Sequence, residues 1–422
     1  MCQGSVPEYF QFKAAPPPAP ERMFNSRFLE QTPTEVVGRS TPKEEQVAVT
    51  TVDGSSEYRV AAHAPCPIID AHVHIFPQKL MDAVWSFFDN YYWPVRYKPQ
   101  YQASRADFLI QQGIRHVVLL IYAHRDGISR GLNAFMAQTV RDMNHRYGGR
   151  PISSSSSSSF SSPNGLRPPA RQRVATGLGT VMPGEPGAVE ILTEAFTVHK
   201  LAGIKMHSHV QCVAANDPSM DEVYATCIRF DKCCLIHAGK EPNSAAYKVD
   251  ADKICDASIV EDVLQRYPTL KICVPHLGMN QYQEFCDLLD RYPNLYLDTT
   301  MTLGAFFKMQ EPAEQVSEMF RNLLTRHADR ILYGTDWPNL PYDWCRELAN
   351  LVSVVDGDGL LIHDNMEKDG PVAPSMNAER GTNRTVESDR ALEKILWRNA
   401  ARFYGISEAD LGLGSDLPAA HL

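Results

Sequence analysis

Short apolar segments alternate eight times with longer segments of helical spacing along this chain. Apolar runs of this length, bounded by turn residues, are typical of strands buried on both faces of a parallel sheet. Eight strand-then-helix units predict a closed (β/α)8 TIM barrel of the α/β class. The predicted strands are Pro67–His72, Ile114–Tyr122, Arg173–Val181, Ala202–His207, Lys232–His237, Leu270–His276, Leu295–Asp298 and Arg330–Asp336.

The segments between these strands have the residue spacing and the end signals of helices. Ser104 is the predicted N-cap of the first helix, and Gly113 follows its end. The predicted helices are Ser104–Gln112, Leu132–Tyr147, Gly187–His199, Met220–Phe230, Ser258–Tyr267, Asn280–Tyr292, Ala313–His327, Tyr342–Val352 and Asp389–Tyr404. The last of these is expected to close the barrel.

Polar sequence without periodicity surrounds and interrupts the predicted barrel. Residues 1–64 are rich in Pro, Ser, Thr and charge, and we expect them to form an irregular, disordered leader. The barrel is expected over residues 65–407, with polar surface insertions at about 150–171, which includes seven consecutive serines, and about 356–386. Residues 408–422 form the predicted C-terminal tail.

Composition narrows the class of protein. The chain has 422 residues, of which 44% are hydrophobic and 22% charged, and a net charge of -9. This charge, without a basic stripe, argues against binding to nucleic acid. No apolar run approaches the roughly 18–20 residues that cross a bilayer, and the N-terminus lacks the apolar core of a secretory signal. Ten cysteines without a CxxC pair are interpreted as reduced core thiols of a cytoplasmic protein.

Two histidines, His72 and His74, end the first apolar run. Because side chains alternate along a strand, both point to the same side, where two imidazoles can hold one metal ion. An HxH pair is weak evidence by itself, since one core histidine and one surface histidine would give the same sequence. Residues elsewhere in the chain distinguish between these two interpretations.

Further polar residues stand at the ends of other predicted strands. His237 ends strand five, His276 ends strand six and Asp336 ends strand eight, while strand four carries Lys205 and His207. In a (β/α)8 barrel the carboxyl ends of all strands meet on one face, where catalytic groups gather. We therefore expect these side chains to converge with the two histidines of strand one, an arrangement that core packing does not explain.

The order and spacing of six motifs resemble the amidohydrolase superfamily, within the amidohydrolase-related group that includes aminocarboxymuconate-semialdehyde decarboxylase. The motifs are IIDAHVHIFP, GIKMHSH, LIHAGKEP, ICVPHLGM, ILYGTDWP and ILWRNAARFYGI, and together they span about residues 66–407. The two polar insertions depart from the compact pattern of this group.

The resemblance implies that His72, His74, His237 and Asp336 hold one divalent metal ion, and that His276 is a catalytic or ligand-supporting histidine. Imidazole nitrogens with one carboxylate suit Zn²⁺ and leave a coordination position for water. Such an ion lowers the pKa of its water toward about 7. His276 and Asp336 are then expected to handle the proton.

Four other residues are candidates for substrate binding or for bridging two ions. Lys205 can be a carboxylated lysine between two ions, a partner of a substrate carboxylate, or a partner of a carboxylate in the barrel; we favour a lysine that is not a ligand, because decarboxylase-like relatives use one ion. His207 is either a site residue or a structural one. Arg125 can bind an acidic substrate or simply lie in solvent. Trp337 can wall the pocket or pack in the core.

Three functions are compatible with these residues. The first is metal-dependent hydrolysis of a small organic substrate through metal-activated water. The second is metal-dependent decarboxylation of an aromatic or dienoic acid. The third is a non-catalytic barrel that binds metal. The expected partner is a small molecule rather than nucleic acid or a membrane, and the resemblance adds a homodimer as the oligomeric state to test.

Overall fold

The computed structural model describes residues 66–99, 102–148, 172–240, 247–304, 313–359 and 384–413. The expected leader, the serine-rich insertion, and most of the second insertion and of the tail lie outside these residues. In the described part of the chain, every helix falls short of the length or apolar character that crossing a bilayer requires.

All eight predicted strands are present, and most are shorter than predicted. They are β1 Ile69–His74, β2 His116–Leu120, β3 Ala175–Gly177, β4 Gly203–His207, β5 Cys233–His237, β6 Ile272–Val274, β7 Leu295–Asp298 and β8 Ile331–Leu332. The helices are α1 Gln78–Tyr91, α2 Gln102–Gln111, α3 Ser129–Tyr147, α4 Ala188–Thr197, α5 Ser208–Gln211, α6 Asp221–Arg229, α7 Ala251–Ile254, α8 Ala257–Arg266, α9 Tyr282–Arg291, α10 Ala313–Arg326, α11 Cys345–Asp356, α12 Val386–Glu393 and α13 Asn399–Tyr404.

Local sequence explains where one helix of this barrel, α8, begins and ends. The Asp256 side chain caps α8 by accepting a hydrogen bond from the backbone N–H of Ser258 at 3.0 Å. Val260, Val263 and Leu264, at helical spacing, form the buried face of α8. The helix ends before a Tyr-Pro pair, because the residue before proline avoids the helical region. The strand-then-helix rhythm therefore follows from apolar spacing together with these end signals.

The strands form one closed parallel barrel. β1, β2 and β3 pair in order, as do β4 through β8, and every pair is parallel. A bridge between Gly179 and Ile204 joins the two groups on one side, and a bridge between Val73 and Trp337 joins them on the other. The predicted (β/α)8 TIM barrel is confirmed, and the carboxyl ends of all strands lie on one face.

The apolar residues form two layers around the sheet. An inner cluster fills the barrel, with side chains from β1, β2, β5, β6, β7, β8 and α13, including Ala71, Leu235 and Phe403. An outer cluster packs the other face of the sheet against the surrounding helices. α13 therefore closes the amino-terminal end of the barrel, as predicted for the last helix, although a five-residue π-helical stretch, Lys394–Arg398, separates it from α12. The sequence pattern did not predict α1.

Candidate metal centre

β1 places two histidines at the mouth of the barrel because a single β-bulge reverses which of its side chains face inward. Ala71 belongs to the inner cluster. The pairing of β1 with β2 then shifts by one residue between Asp70 and Val73, a β-bulge that turns Val73 to the outer cluster. The side shared by His72 and His74 consequently faces the inside of the barrel, and their Nε2 atoms are 3.2 Å apart.

Asp336 joins these two histidines from the segment after β8. Its Oδ1 lies 3.1 Å from His74 Nε2 and 3.4 Å from His72 Nε2. A tetrahedral ion with bonds of about 2.0–2.2 Å keeps its ligand atoms about 3.3–3.6 Å apart. The three atoms therefore have nearly the spacing of one face of such a tetrahedron, and the residues present fit a divalent metal. We call His72, His74 and Asp336 the metal triangle.

The protonation states of the metal triangle suit metal binding. Burial, reinforced by the nearby charge of Lys205, holds the pKa of His72 well below its ordinary value. Burial also lowers the pKa of His74. Burial by itself would raise the pKa of Asp336, but its contacts with His74 and His72 lower it below its usual range. Near pH 7 the triangle thus offers two neutral imidazoles and one carboxylate.

The backbone of Asp336 is strained, and hydrogen bonds between its segment and β1 hold it in place. Its φ of 69° lies in the left-handed region, a conformation that costs on the order of 1–3 kcal/mol for a residue other than glycine. Asp336 N donates to His72 O at 3.0 Å, and His74 N donates to Trp337 O at 2.8 Å. β1 is therefore hydrogen-bonded directly to the segment that carries the carboxylate, which fixes the spacing of the metal triangle.

His276 lies beside the metal triangle at the end of β6. Its ring centroid is 5.9 Å from that of His72 and 4.9 Å from that of His237. His276 Nδ1 is 2.9 Å from the carbonyl oxygen of Thr300. Since a carbonyl can only accept, the ring proton belongs on Nδ1, and Nε2 keeps its lone pair. Nε2 of His276 can therefore accept a hydrogen bond.

The loop after His276 depends on Gly278. His276, Leu277, Gly278 and Met279 all have positive φ, and a Cβ on Gly278 would lie 2.0 Å from a ring carbon of Phe285. We expect Gly278→Ala to lower the free energy of unfolding by about 2–4 kcal/mol, through left-handed strain and overpacking. Urea denaturation measures this change.

Gly131→Ala provides the matched control for this variant. Gly131 lies in α3, and a Cβ there would meet no atom within 4 Å. Alanine favours a helix by up to about 1 kcal/mol over glycine, so this variant should be as stable as the parent or more stable. Equal stability of the two alanine variants would contradict the role assigned to Gly278.

His237 groups with different histidines than the resemblance implies. Within the described residues, its ligand atom lies within 4.8 Å of those of His207 and His209, whereas the metal triangle forms a separate group. The His237 and His207 rings are stacked at 4.3 Å and only 8° from parallel. Because the lone pairs of imidazole lie in the ring plane, an ion shared by these two rings requires that one ring turn. His237 stays a predicted ligand of the metal triangle, and joining it requires a shift of its ring.

Lys205 lies inside the barrel beneath these groups. β4 turns Lys205 and His207 to the same side, and the Lys205 side chain is fully buried. Burial lowers the pKa of Lys205 to about 8, although Asp298 and Asp336 favour its charged form. Its Nζ has no hydrogen-bond partner among the described residues. Lys205 is therefore an unpaired amine near two carboxylates and the metal triangle.

Two other candidates are not part of the metal triangle. Trp337 is buried in the outer cluster, where it stacks on Phe108 at 4.7 Å and its indole N–H donates to Arg105 O at 2.6 Å. This environment agrees with the packing alternative, and a role in the pocket wall stays a prediction. Arg125 is exposed, one residue beyond His124, and its charge contributes, after burial, to lowering the pKa of His124 to about 4.

The structure brings in two polar residues that sequence reasoning missed. Asp298 ends β7, and its Oδ2 is 2.8 Å from His72 Nδ1. His209 lies in α5, just beyond β4, and its Nδ1 is 3.4 Å from the Cys255 thiol. Asp298 could have been found by the rule that identified His237 and His276, because it also stands at a predicted strand end. His209 lies inside the GIKMHSH motif but on α5, beyond the strand, so that rule does not reach it.

The closed parallel barrel with histidines and a carboxylate at the carboxyl end of its strands defines a class of (β/α)8 enzymes. The sequence profile described as Amidohydrolase matches residues 69–406, most of the chain. The chain belongs to the amidohydrolase family. It is an enzyme of this family, related to hydrolases and carboxy-lyases, so the alternative of a non-catalytic barrel is not retained. No protein of curated function matches the sequence.

A comparison with solved structures found several similar chains. An uncharacterised TIM-barrel protein from Bordetella bronchiseptica shares 17% identity, with 82% of this chain and 100% of that chain covered and a TM-score of 0.49. 5-Carboxyvanillate decarboxylase from Sphingomonas paucimobilis shares 14%, with 81% and 99% covered and a TM-score of 0.46. A probable 2-pyrone-4,6-dicarboxylic acid hydrolase from Acinetobacter baumannii shares 13%, with 81% and 100% covered and a TM-score of 0.47.

Proposed function

We propose that this enzyme is a metal-dependent hydrolase of a small organic substrate. The observation that carries the proposal is the metal triangle, whose three ligand atoms are 3.1–3.4 Å apart. We propose Zn²⁺ as the ion, one per chain, held by His72, His74 and Asp336, with His237 as an additional ligand if its ring turns toward them. The ion, when bound, supplies Lewis acidity and makes a water molecule acidic near neutral pH.

Two residues of the site, Asp336 and His276, carry out the proton transfers in this proposal. Asp336 is the carboxylate of the metal triangle, so it can accept a proton from an attacking water. His276 keeps Nε2 as a base, because its Nδ1 proton is engaged by Thr300 O at 2.9 Å. The proton that Asp336 takes from the water can pass to His276 Nε2, which delivers it to the leaving group and so returns both residues to their starting states. This assignment makes Asp336 and His276 the catalytic residues.

The alternative reaction, decarboxylation of an aromatic or dienoic acid, is favoured by two features. The buried Lys205 Nζ, without a hydrogen-bond partner among the described residues, can pair with a substrate carboxylate. Phe76 and Tyr122 stack edge-on at 4.9 Å, and Tyr122 meets the His74 ring at 5.7 Å. Aromatic walls beside the metal triangle suit a planar substrate. Both reactions use the same triangle.

A substrate panel separates the two reactions. The purified enzyme loaded with Zn²⁺ is assayed in parallel for CO₂ release from aromatic and dienoic acids and for cleavage of amides, lactones and esters. Hydrolysis without CO₂ release supports the first proposal, and CO₂ release without hydrolysis replaces it with the alternative. Loss of all turnover in His74→Ala must accompany either result if the metal triangle is the site. The cytoplasmic location and the homodimer remain predictions, which cell fractionation and light scattering test.

Replacing Lys205 tests whether the substrate carries a carboxylate. Lys205→Met keeps the length and burial of the side chain but removes its charge. A hydrogen bond to a charged group contributes about 1.5–3 kcal/mol, so we expect KM for a carboxylate substrate to rise about 10- to 100-fold. KM for an uncharged ester should stay the same. Equal KM changes for both substrates would show that Lys205 does not bind the carboxylate.

A further inference from the structure

Asp298 ends β7 inside the barrel and contacts both parts of the proposed site. Its side chain is fully buried. One oxygen, Oδ2, accepts from His72 Nδ1 at 2.8 Å. The other, Oδ1, accepts from the backbone N–H of His276 and of Thr300, each at 3.1 Å, and from the Thr300 hydroxyl. A single carboxylate therefore joins a residue of the metal triangle to the residue proposed as the base.

The bond to His72 determines which ring nitrogen can face an ion. A carboxylate only accepts hydrogen bonds, so His72 carries its proton on Nδ1. Nε2, the nitrogen within 3.4 Å of the other two triangle atoms, then keeps its lone pair for the metal. A carboxylate behind a metal-binding imidazole also makes the imidazole a stronger ligand.

The hydrogen bonds that Asp298 Oδ1 accepts position His276. His276 has a φ of 58°, a strained conformation that persists only when its surroundings enforce it. Asp298 Oδ1 anchors the backbone N–H of His276, and it also anchors Thr300, whose carbonyl oxygen lies 2.9 Å from His276 Nδ1. Both the main chain and the ring of His276 are thus positioned by the same oxygen atom.

We propose that Asp298 is a positioning residue that sets the tautomer of His72 and the location of His276 together. This inference rests on the proposed function, since it assigns His72 to the metal and His276 to proton transfer. It predicts that a neutral isostere cannot replace the carboxylate. In Asp298→Asn, an amide nitrogen that faced His72 would donate to Nδ1 and move the ring proton to Nε2, the metal side. If the amide were turned the other way, its nitrogen would meet the two backbone N–H groups.

The test compares Asp298→Asn with Thr300→Val. Asp298→Asn keeps the shape of the side chain, and we expect the affinity for Zn²⁺, measured by competition with a chelator, to fall about 10- to 100-fold. Thr300→Val removes the hydroxyl that donates to Oδ1 but leaves the bond from His72 to Oδ2. It should therefore keep the parent affinity for Zn²⁺ while kcat falls. Circular dichroism and urea denaturation show whether each variant folds.

A spectroscopic readout separates positioning from general stability. Long-range ¹H–¹⁵N correlation spectra of histidine-labelled, metal-free protein report the tautomer of His72. We expect the Nδ1–H form in the parent and in Thr300→Val, and its loss in Asp298→Asn. A folded Asp298→Asn variant with parent Zn²⁺ affinity and an unchanged His72 tautomer would overturn the inference. If His72→Ala also bound Zn²⁺ like the parent, the proposed metal triangle itself would be wrong.

Discussion

Asp336→Asn is expected to abolish turnover. The substitution keeps the size of the side chain but removes the negative charge 3.1 Å from His74 Nε2 and 3.4 Å from His72 Nε2. The triangle then loses its one anionic ligand, and the reaction loses a proton acceptor. Loss of general acid–base catalysis alone lowers kcat by about 10²–10⁴-fold, so the combined loss should be at least this large. Steady-state kinetics at saturating Zn²⁺ measures it.

The control for this variant is Asp231→Asn. Asp231 is 88% exposed and pairs with Lys271 at 2.9 Å, away from the strand ends that carry the metal triangle. Its replacement should leave kcat and metal content at the parent values. If Asp336→Asn kept a kcat within a few-fold of the parent, neither its role as ligand nor its role as base would stand.

His276→Ala is expected to separate metal binding from turnover. The His276 ring is not part of the metal triangle, and its centroid lies 5.9 Å from that of His72. The variant should therefore keep one equivalent of metal while kcat falls by about 10²–10⁴-fold through loss of the base. Elemental analysis of the purified protein and steady-state kinetics are the two measurements.

His237→Ala is the informative companion of His276→Ala. If His237 is a ligand of the ion, as the resemblance implies, its removal lowers metal affinity, whereas His276→Ala does not. Equal loss of metal in both variants would make His276 a ligand too. That outcome would reopen a two-ion centre in which a carboxylated Lys205 bridges the ions.

Much of the fold could be predicted because the barrel repeats one pattern. Each strand is an apolar run, and the long helices, like α8, bury apolar side chains at helical spacing. The lengths of the strands could not be predicted from this apolar pattern. β3 and β8 have three and two residues, because apolar sequence continues past the point where ladder pairing stops. α1 was missed because its aromatic residues were compatible with a loop as well as a helix.

The candidate site was predicted to the level of strand ends and no further. The rule that functional groups gather at the carboxyl ends of strands brought together His72, His74, His276 and Asp336. It could not predict the β-bulge that brings both histidines of β1 inside, since a one-residue shift in register leaves no mark in apolar spacing. It also could not choose between the two environments of Trp337, because a large aromatic side chain suits a pocket wall and a core equally well.

Anomalous diffraction at the absorption edge of the bound metal, from crystals of the Zn²⁺-loaded enzyme, locates the ion without reference to activity. We expect a peak about 2.0–2.2 Å from His72 Nε2, His74 Nε2 and Asp336 Oδ1. A peak that lacks Asp336 as a ligand, or an ion held by His207 and His209 with the metal triangle empty, would contradict the proposed metal centre.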